Sequence, residues 1–147
     1  MKQELLLHFD RQLSQLENEI NGYPDEDTMF KVLPGTTNSA GNLAMHLIGN
    51  LRHFYGAILV EDGYVRDREN EFAGRMSREQ MLEQLAYVKQ MMKGYFSAAS
   101  ESSYAEKYPI EFAGNEITNG FAHLQFLHHF TYHLGQINYH RRTLTAN

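Results

Sequence analysis

Eight histidines and no cysteine stand among the 147 residues. Any transition-metal chemistry must therefore run through imidazole and carboxylate, and disulfides, thiolate nucleophiles and cysteine-based zinc sites are excluded. The histidines are His8, His46, His53, His123, His128, His129, His133 and His140. Two ligands on one helix must share a face, at i,i+3 or i,i+4. One pair meets that condition: His129 and His133, in "HHFTYHLGQINYHRR". At 3.6 residues per turn they lie about 40° apart around the axis, whereas His128 and His133 diverge by about 140°. His128 is therefore expected in solvent.

The apolar stripe of this segment is Phe126, Leu127, Phe130, Leu134 and Ile137. His129 and His133 border it, and Gln136 and His140 continue their row, His140 with no partner evident in the sequence. His123 falls within the stripe and is expected as a hydrogen-bonded core histidine. Two imidazoles do not complete a site, because a catalytic zinc-type centre takes three protein ligands and keeps a position open. HExxH is absent, since residue 130 is Phe, and so is the Glu-x-x-His of di-iron bundles. A third ligand must come from elsewhere, and His46 and His53, seven apart on one predicted helix, are both candidates on spacing. Against the site stands a plainer reading: an HxxxH pair at the surface, and a His46 that is only a hydrogen-bonded core residue.

Four helices must position these residues. The first spans about 2–21, with Leu5, Leu6, Phe9, Leu13, Leu16 and Ile20 at mostly three- and four-residue steps, and Gly22 and Pro24 end it. "YPDEDTMFKVLPGTTNS" then reads as loop. The second helix starts at capping residues 37–39 and runs to about Val60, with the stripe Leu43, Leu47, Leu51, Phe54 and Ile58. It carries Gly41, Gly49 and Gly56 near one side, which means either a closely packed neighbour or a weak helix. "EDGYVRDRENEFAG" reads as a charged loop. The third helix begins at a capping box, "SREQ" from Ser77, and its stripe is Met81, Leu85, Val88, Met92, Tyr95 and Ala99. Residues 104–117 alternate around a Gly-Asn turn and suggest a short β-hairpin. The fourth helix runs from Thr118 or Asn119 to about Thr143. The fold class is all-α, a four-helix bundle in a single domain over residues 1–147. The two long connections allow a non-sequential helix order.

Composition narrows the functions. The chain is 42% hydrophobic and 21% charged, with a net charge of −5, so a basic nucleic-acid face is not expected. No apolar run approaches the roughly 20 residues of a membrane span. The amino-terminal apolar stretch is short and broken by His8 and Asp10, unlike a signal peptide. A cytoplasmic location is the expectation.

"NLAMHLIGN", "VRDRENEF" and "HHFTYHLGQINYHRR", in this order and at these distances, resemble the DinB/YfiT-like superfamily, and within it a subgroup of small proteins of unknown function. The resemblance implies a four-helix bundle of non-sequential order, often a homodimer. It also implies a divalent metal, commonly nickel or zinc, held by one histidine of the second helix and an HxxxH on the last. On this sequence those positions are His46, His129 and His133. Members include thiol S-transferases that use low-molecular-weight thiols, but no reaction is implied for the subgroup, and no catalytic residue is assigned. As an enzyme the protein would attack an electrophilic substrate with a thiolate or with water. As a non-enzyme it would be a metal-stabilised dimeric binding or stress-response protein. Asn50, one turn past His46, and Gln136, three residues past His133, are candidates for hydrogen bonding the ligands or a substrate, or else for ordinary interhelix bonds. Arg66 and Arg68 either bind a substrate carboxylate or pair with Asp67, Glu69 or Glu71 in exposed ion pairs that fix the loop.

Overall fold

The computed structural model describes residues 1–145, and they form an all-α fold. Helix α1 (Lys2–Asn21) buries Leu5, Phe9, Leu13, Leu16 and Ile20, the stripe its spacing predicts. A short helix α2 (Glu26–Met29) follows, capped by Asp25, whose carboxylate accepts from the Thr28 N–H. It lies inside the stretch read as loop, where one turn with a single buried methionine leaves no periodicity to detect. Helix α3 (Ala40–Leu51) is capped by Ser39 and buries nearly its whole length.

α3 does not continue to Val60 in α geometry. Residues Arg52–Val60 form a π-helical segment that ends at Glu61 in the left-handed conformation. The wider turn shifts the register: Tyr55, not Phe54, becomes fully buried, and Phe54 and Ile58 are half-buried. Helix α4 (Arg68–Ala73), within the predicted charged loop, starts where the Asp67 side chain accepts from Asn70 N–H. Helix α5 (Arg78–Ala98) opens on the predicted capping box of Ser77 and Gln80. It buries Met91 and Phe96 with Met81, Leu85, Val88 and Met92. Helix α6 runs Asn119–Thr145.

No strand forms among the described residues where the hairpin was expected. Two isolated antiparallel bridges, Lys107–Thr118 and Phe112–Asn115, bracket the segment. The turn falls on Ala113-Gly114, both at positive φ, one residue before the predicted Gly-Asn. Positive φ at both central positions is the type I′ requirement. The flanking residues then bury their side chains separately: Tyr108 sits in the core and its hydroxyl donates to the Phe54 carbonyl.

α1 packs on α5 and α6, and so does α3 with its π-helical continuation, while α1 and α3 barely touch. The core where they meet is aromatic. Phe9 of α1 lies against Tyr55 and Phe96, and Phe126 of α6 against Tyr55, with ring centroids 5.7–5.8 Å apart. The histidines of interest sit where α3 and α6 face each other.

The glycines of the second helix decide between the two readings left open above: they mark close neighbours. A methyl group on Gly41 would lie 2.6 Å from the Phe30 ring, and one on Gly56 would lie 2.8 Å from an Asp62 carboxylate oxygen. On Gly49 it would collide with the carboxylate of Glu71. That last contact bears on the site.

Candidate metal centre

His46 comes from the middle of α3, and His129 and His133 from successive turns of α6. One ring nitrogen from each lies within 4.8 Å of the other two. The rings are nearly perpendicular in pairs, at 79°, 90° and 82°, with centroids 5.0, 5.3 and 4.6 Å apart. The Nε2 atoms of His46 and His129 are 3.1 Å apart. Two metal–nitrogen bonds of about 2.0–2.1 Å at a tetrahedral angle would span about 3.3 Å, so the pair forms a fitting edge of a coordination sphere.

The outer nitrogens explain the orientation. His133 Nδ1–H donates to Gln136 Oε1 at 2.6 Å, which leaves the lone pair of Nε2 for the cluster. His46 Nδ1 lies 3.4 Å from Glu71 Oε2. Arg66 Nη2 is equally near, at 3.4 Å, but a guanidinium only donates, so the carboxylate is the acceptor for an Nδ1 proton. Arg66 in turn holds Glu71 in a fork, Nε to Oε1 at 2.7 Å and Nη2 to Oε2 at 2.9 Å. Gly49 provides the space for that carboxylate, because no side chain stands between α3 and Glu71. The carboxylate–histidine arrangement is the one that fixes tautomer and ring angle in metal sites. The third ring differs: His129 Nδ1 is buried and has no partner among the described residues.

The charges agree with a cation site. Burial, then the neighbouring His133 and His46, lower the His129 pKa to about 4. Burial also lowers that of His133, against the opposing Gln136 bond. Both imidazoles are therefore neutral near pH 7, with lone pairs free. Burial alone would raise the Glu71 carboxyl, but hydrogen bonds from His46 and Arg66 hold it below the usual carboxylate range. A donor set of three imidazoles, one backed by a carboxylate, could hold a metal ion.

Other predicted residues fall where they can be judged. Arg66 takes the pairing reading, with Glu71, but the pair is not exposed: the side chains are 13% and 6% accessible. α4 explains the difference, since it packs on α3 and carries Glu71 inward. Arg68 makes no ion pair among the described residues and lies over the Phe72 ring. Gln136 bonds within its own helix, not between helices. Asn50 is buried and lines a cavity beside the cluster. His53, in the π-helical segment, stacks edge-on against Phe54 and stands apart from the cluster. His128 is exposed and His123 is buried, as expected. His140 is not partnerless: it is buried, with Tyr23 Oη 2.7 Å from Nδ1 and the Lys31 carbonyl 2.6 Å from Nε2. Glu71 was visible in the sequence only as one of three pairing choices for the arginines. Gly49, three residues past His46, was the one hint of something large against that face.

Fold and site thus define an all-α protein with a three-histidine cluster that could hold a metal ion, set between two facing helices. The chain belongs to the family described as "Protein of unknown function (DUF1572)", which matches residues 3–147. Among solved structures it is similar to a conserved protein from Enterococcus faecalis, with a TM-score of 0.78 and 15% identity, over 100% of this chain and 98% of that one. That likeness speaks to the fold alone. No curated protein matches the sequence. No helix among the described residues is long and apolar enough to cross a membrane.

Proposed function

We propose that His46, His129 and His133 hold one divalent metal ion, zinc or nickel, and that the protein is a metal-dependent enzyme of the thiol S-transferase or hydrolase kind. The observation that carries this is the convergence of three ring nitrogens from two helices, with the Nδ1 atoms of His46 and His133 held outward by Glu71 and Gln136. The resemblance to the DinB/YfiT-like superfamily supports the same ligand set. Three ligands leave room for a further group, and a cavity of about 230 Å³ reaches His46 and His129. A bound ion would supply Lewis acidity, which lowers the pKa of a thiol or water beside it. The chain's own residues do the rest: Glu71 and Arg66 fix His46, Gln136 fixes His133, and the cavity wall orients the electrophile. A homodimer belongs to the same proposal. Phe121, Leu124, Tyr132 and Tyr139 on the outer side of α6 are exposed, and the mass in solution measured by light scattering tests it.

Elemental analysis of protein purified without a histidine tag tests the site. About one ion per chain is expected, as a single three-ligand centre requires. His46→Ala, His129→Ala and His133→Ala should each lose it, while His53→Ala and His128→Ala should retain it. Undiminished metal in the first three overturns the assignment. A panel of low-molecular-weight thiols, and water alone, against chromogenic electrophiles tests the activity. Failure of every metal-dependent turnover would leave the non-enzymatic, metal-stabilised reading.

A further inference from the structure

The cavity that reaches His46 and His129 has walls of two kinds. One is aromatic: Phe54 and Phe126 stack at 4.6 Å and 20°, and Phe112, from the connection before α6, closes on them at 5.9 and 6.0 Å. The other is polar and has two ends. At the deep end is Asn50, one helical turn past His46. Its residue is only 8% exposed, and its carboxamide lines the cavity without a hydrogen-bond partner among the described residues. It is not one of the polar groups shut away from solvent without a partner, so it is open to the cavity and free to bond what enters there. At the outer end is Arg68. The charges of Arg66 and Glu71 cancel in their buried fork. Neither Asp67 nor Glu69 pairs with Arg68, whose guanidinium lies 5.2 Å from the Phe72 ring centroid. The Arg68 guanidinium is therefore the cationic group of the lining that no carboxylate balances among the described residues.

We infer that this cavity binds a small, flat carboxylate with a hydrogen-bonding group at its far end. The carboxylate pairs with Arg68 at the entrance, the body lies against Phe54, Phe112 and Phe126, and the far polar atom hydrogen-bonds Asn50 beside His46. The size agrees: about 230 Å³ is below the range of drug-sized pockets and suits a single ring with substituents. A larger groove of about 500 Å³ further along α6 meets His133 and Gln136. It lacks any arginine or lysine in its lining, so it offers an anion no such partner. The inference rests on the three-histidine reading only for what the bound molecule meets, not for its binding.

The test is titration calorimetry on purified protein whose metal content is measured in the same sample. The probes are 4-hydroxyphenylacetate, its neutral amide, and phenylacetate, which lacks the far hydroxyl. The acid should bind about tenfold more tightly than the amide, the scale of a charge-assisted hydrogen bond. Arg68→Gln, at an exposed residue, should erase that preference and leave amide binding unchanged. Asn50→Leu should erase the preference for 4-hydroxyphenylacetate over phenylacetate, and Phe112→Ala should weaken all three probes. Acid and amide binding alike, or an acid preference that survives Arg68→Gln, overturns the inference. Metal at one per chain with no acid preference would sink this inference alone. The Arg68-dependent preference in protein without metal would uphold it and count against the metal reading.

Discussion

Helix α6 carries two kinds of inward-facing histidine, one buried and one half-buried, and the contrast between them separates structure from site. His123 is 1% exposed and bonds Tyr55 through Nδ1 at 2.8 Å and Tyr95 through Nε2 at 3.2 Å. His140 donates from Nε2 to the Lys31 carbonyl, and its Nδ1 is hydrogen-bonded with the Tyr23 hydroxyl. A neutral imidazole has one donor and one acceptor, and hydroxyl and carbonyl partners satisfy both. His129 and His133 instead turn a nitrogen toward His46, where each ring offers the others the same kind of atom. Gln136 and Glu71 occupy the outer nitrogens of two of them, so lone pairs are directed inward at one point. A saturated histidine holds a core together, whereas converging lone pairs fit a cation.

The largest effect that would test this contrast is on stability at His123. His123→Ala should cost about 3–4 kcal/mol in denaturant unfolding, from the void and from the buried Tyr55 hydroxyl left without its partner. Its metal content should stay at the wild-type level. A loss of metal there would erase the distinction between the two kinds of histidine.

Next is the pH dependence of the same group. Burial lowers the His123 pKa from 6.5 to about 4. As pH falls below 6.5 the unfolded chain takes the proton first, so unfolding is favoured and stability drops until the folded state protonates near pH 4. Above 6.5 the group contributes no slope. The loss amounts to roughly 3 kcal/mol across that window. Unfolding free energies at pH 7, 6, 5 and 4 should therefore fall less steeply in His123→Phe than in wild type. Parallel curves would mean that the imidazole takes up its proton in the fold as it does in the unfolded chain.

Smaller, and confined to the site, is the effect of the carboxylate behind His46. Glu71→Gln should weaken metal affinity about 10- to 100-fold, the usual range for such a supporting group, as read by competition with a chelator. Gly49→Ala should act the same way from the other side, because its methyl group displaces the carboxylate. It adds helix propensity of about 1 kcal/mol, so an affinity loss without destabilisation would separate positioning from folding. Unchanged affinity in both would show that Glu71 does not position His46.

These residues also mark what the sequence could tell. The long helices were legible because Leu5 to Ile20 and Met81 to Met92 repeat at helical spacing over several turns. The same 3.6-residue geometry singled out His129 and His133 among five histidines of α6. His46 against His53 was not legible from spacing, since on a regular α-helix both share one face. His53 falls in the π-helical segment, two turns past His46, where it packs against Phe54. Glu71 was hidden for a related reason: α4 is six residues long and polar, with no stripe to reveal it, and only its docking on α3 turns one carboxylate inward. His140 found Tyr23 and Lys31 across more than 100 residues, and its spacing from His133 carries no trace of either.

The smallest expected effect is at His128, and it sharpens the comparison most cheaply. His128 precedes His129 in the chain but lies about 100° from it around the helix, exposed to solvent. If helix face decides which imidazole serves the site, His128→Ala should change unfolding free energy by no more than about 0.5 kcal/mol and leave metal content unaltered. Its charged form is the weakest of the influences holding down the His129 pKa, so its removal should also leave the pH dependence of metal retention nearly unmoved. A marked metal loss in His128→Ala would mean that this ring swings into the cluster in place of His129. The paired variant His129→Ala, which should lose the ion, would then retain part of it.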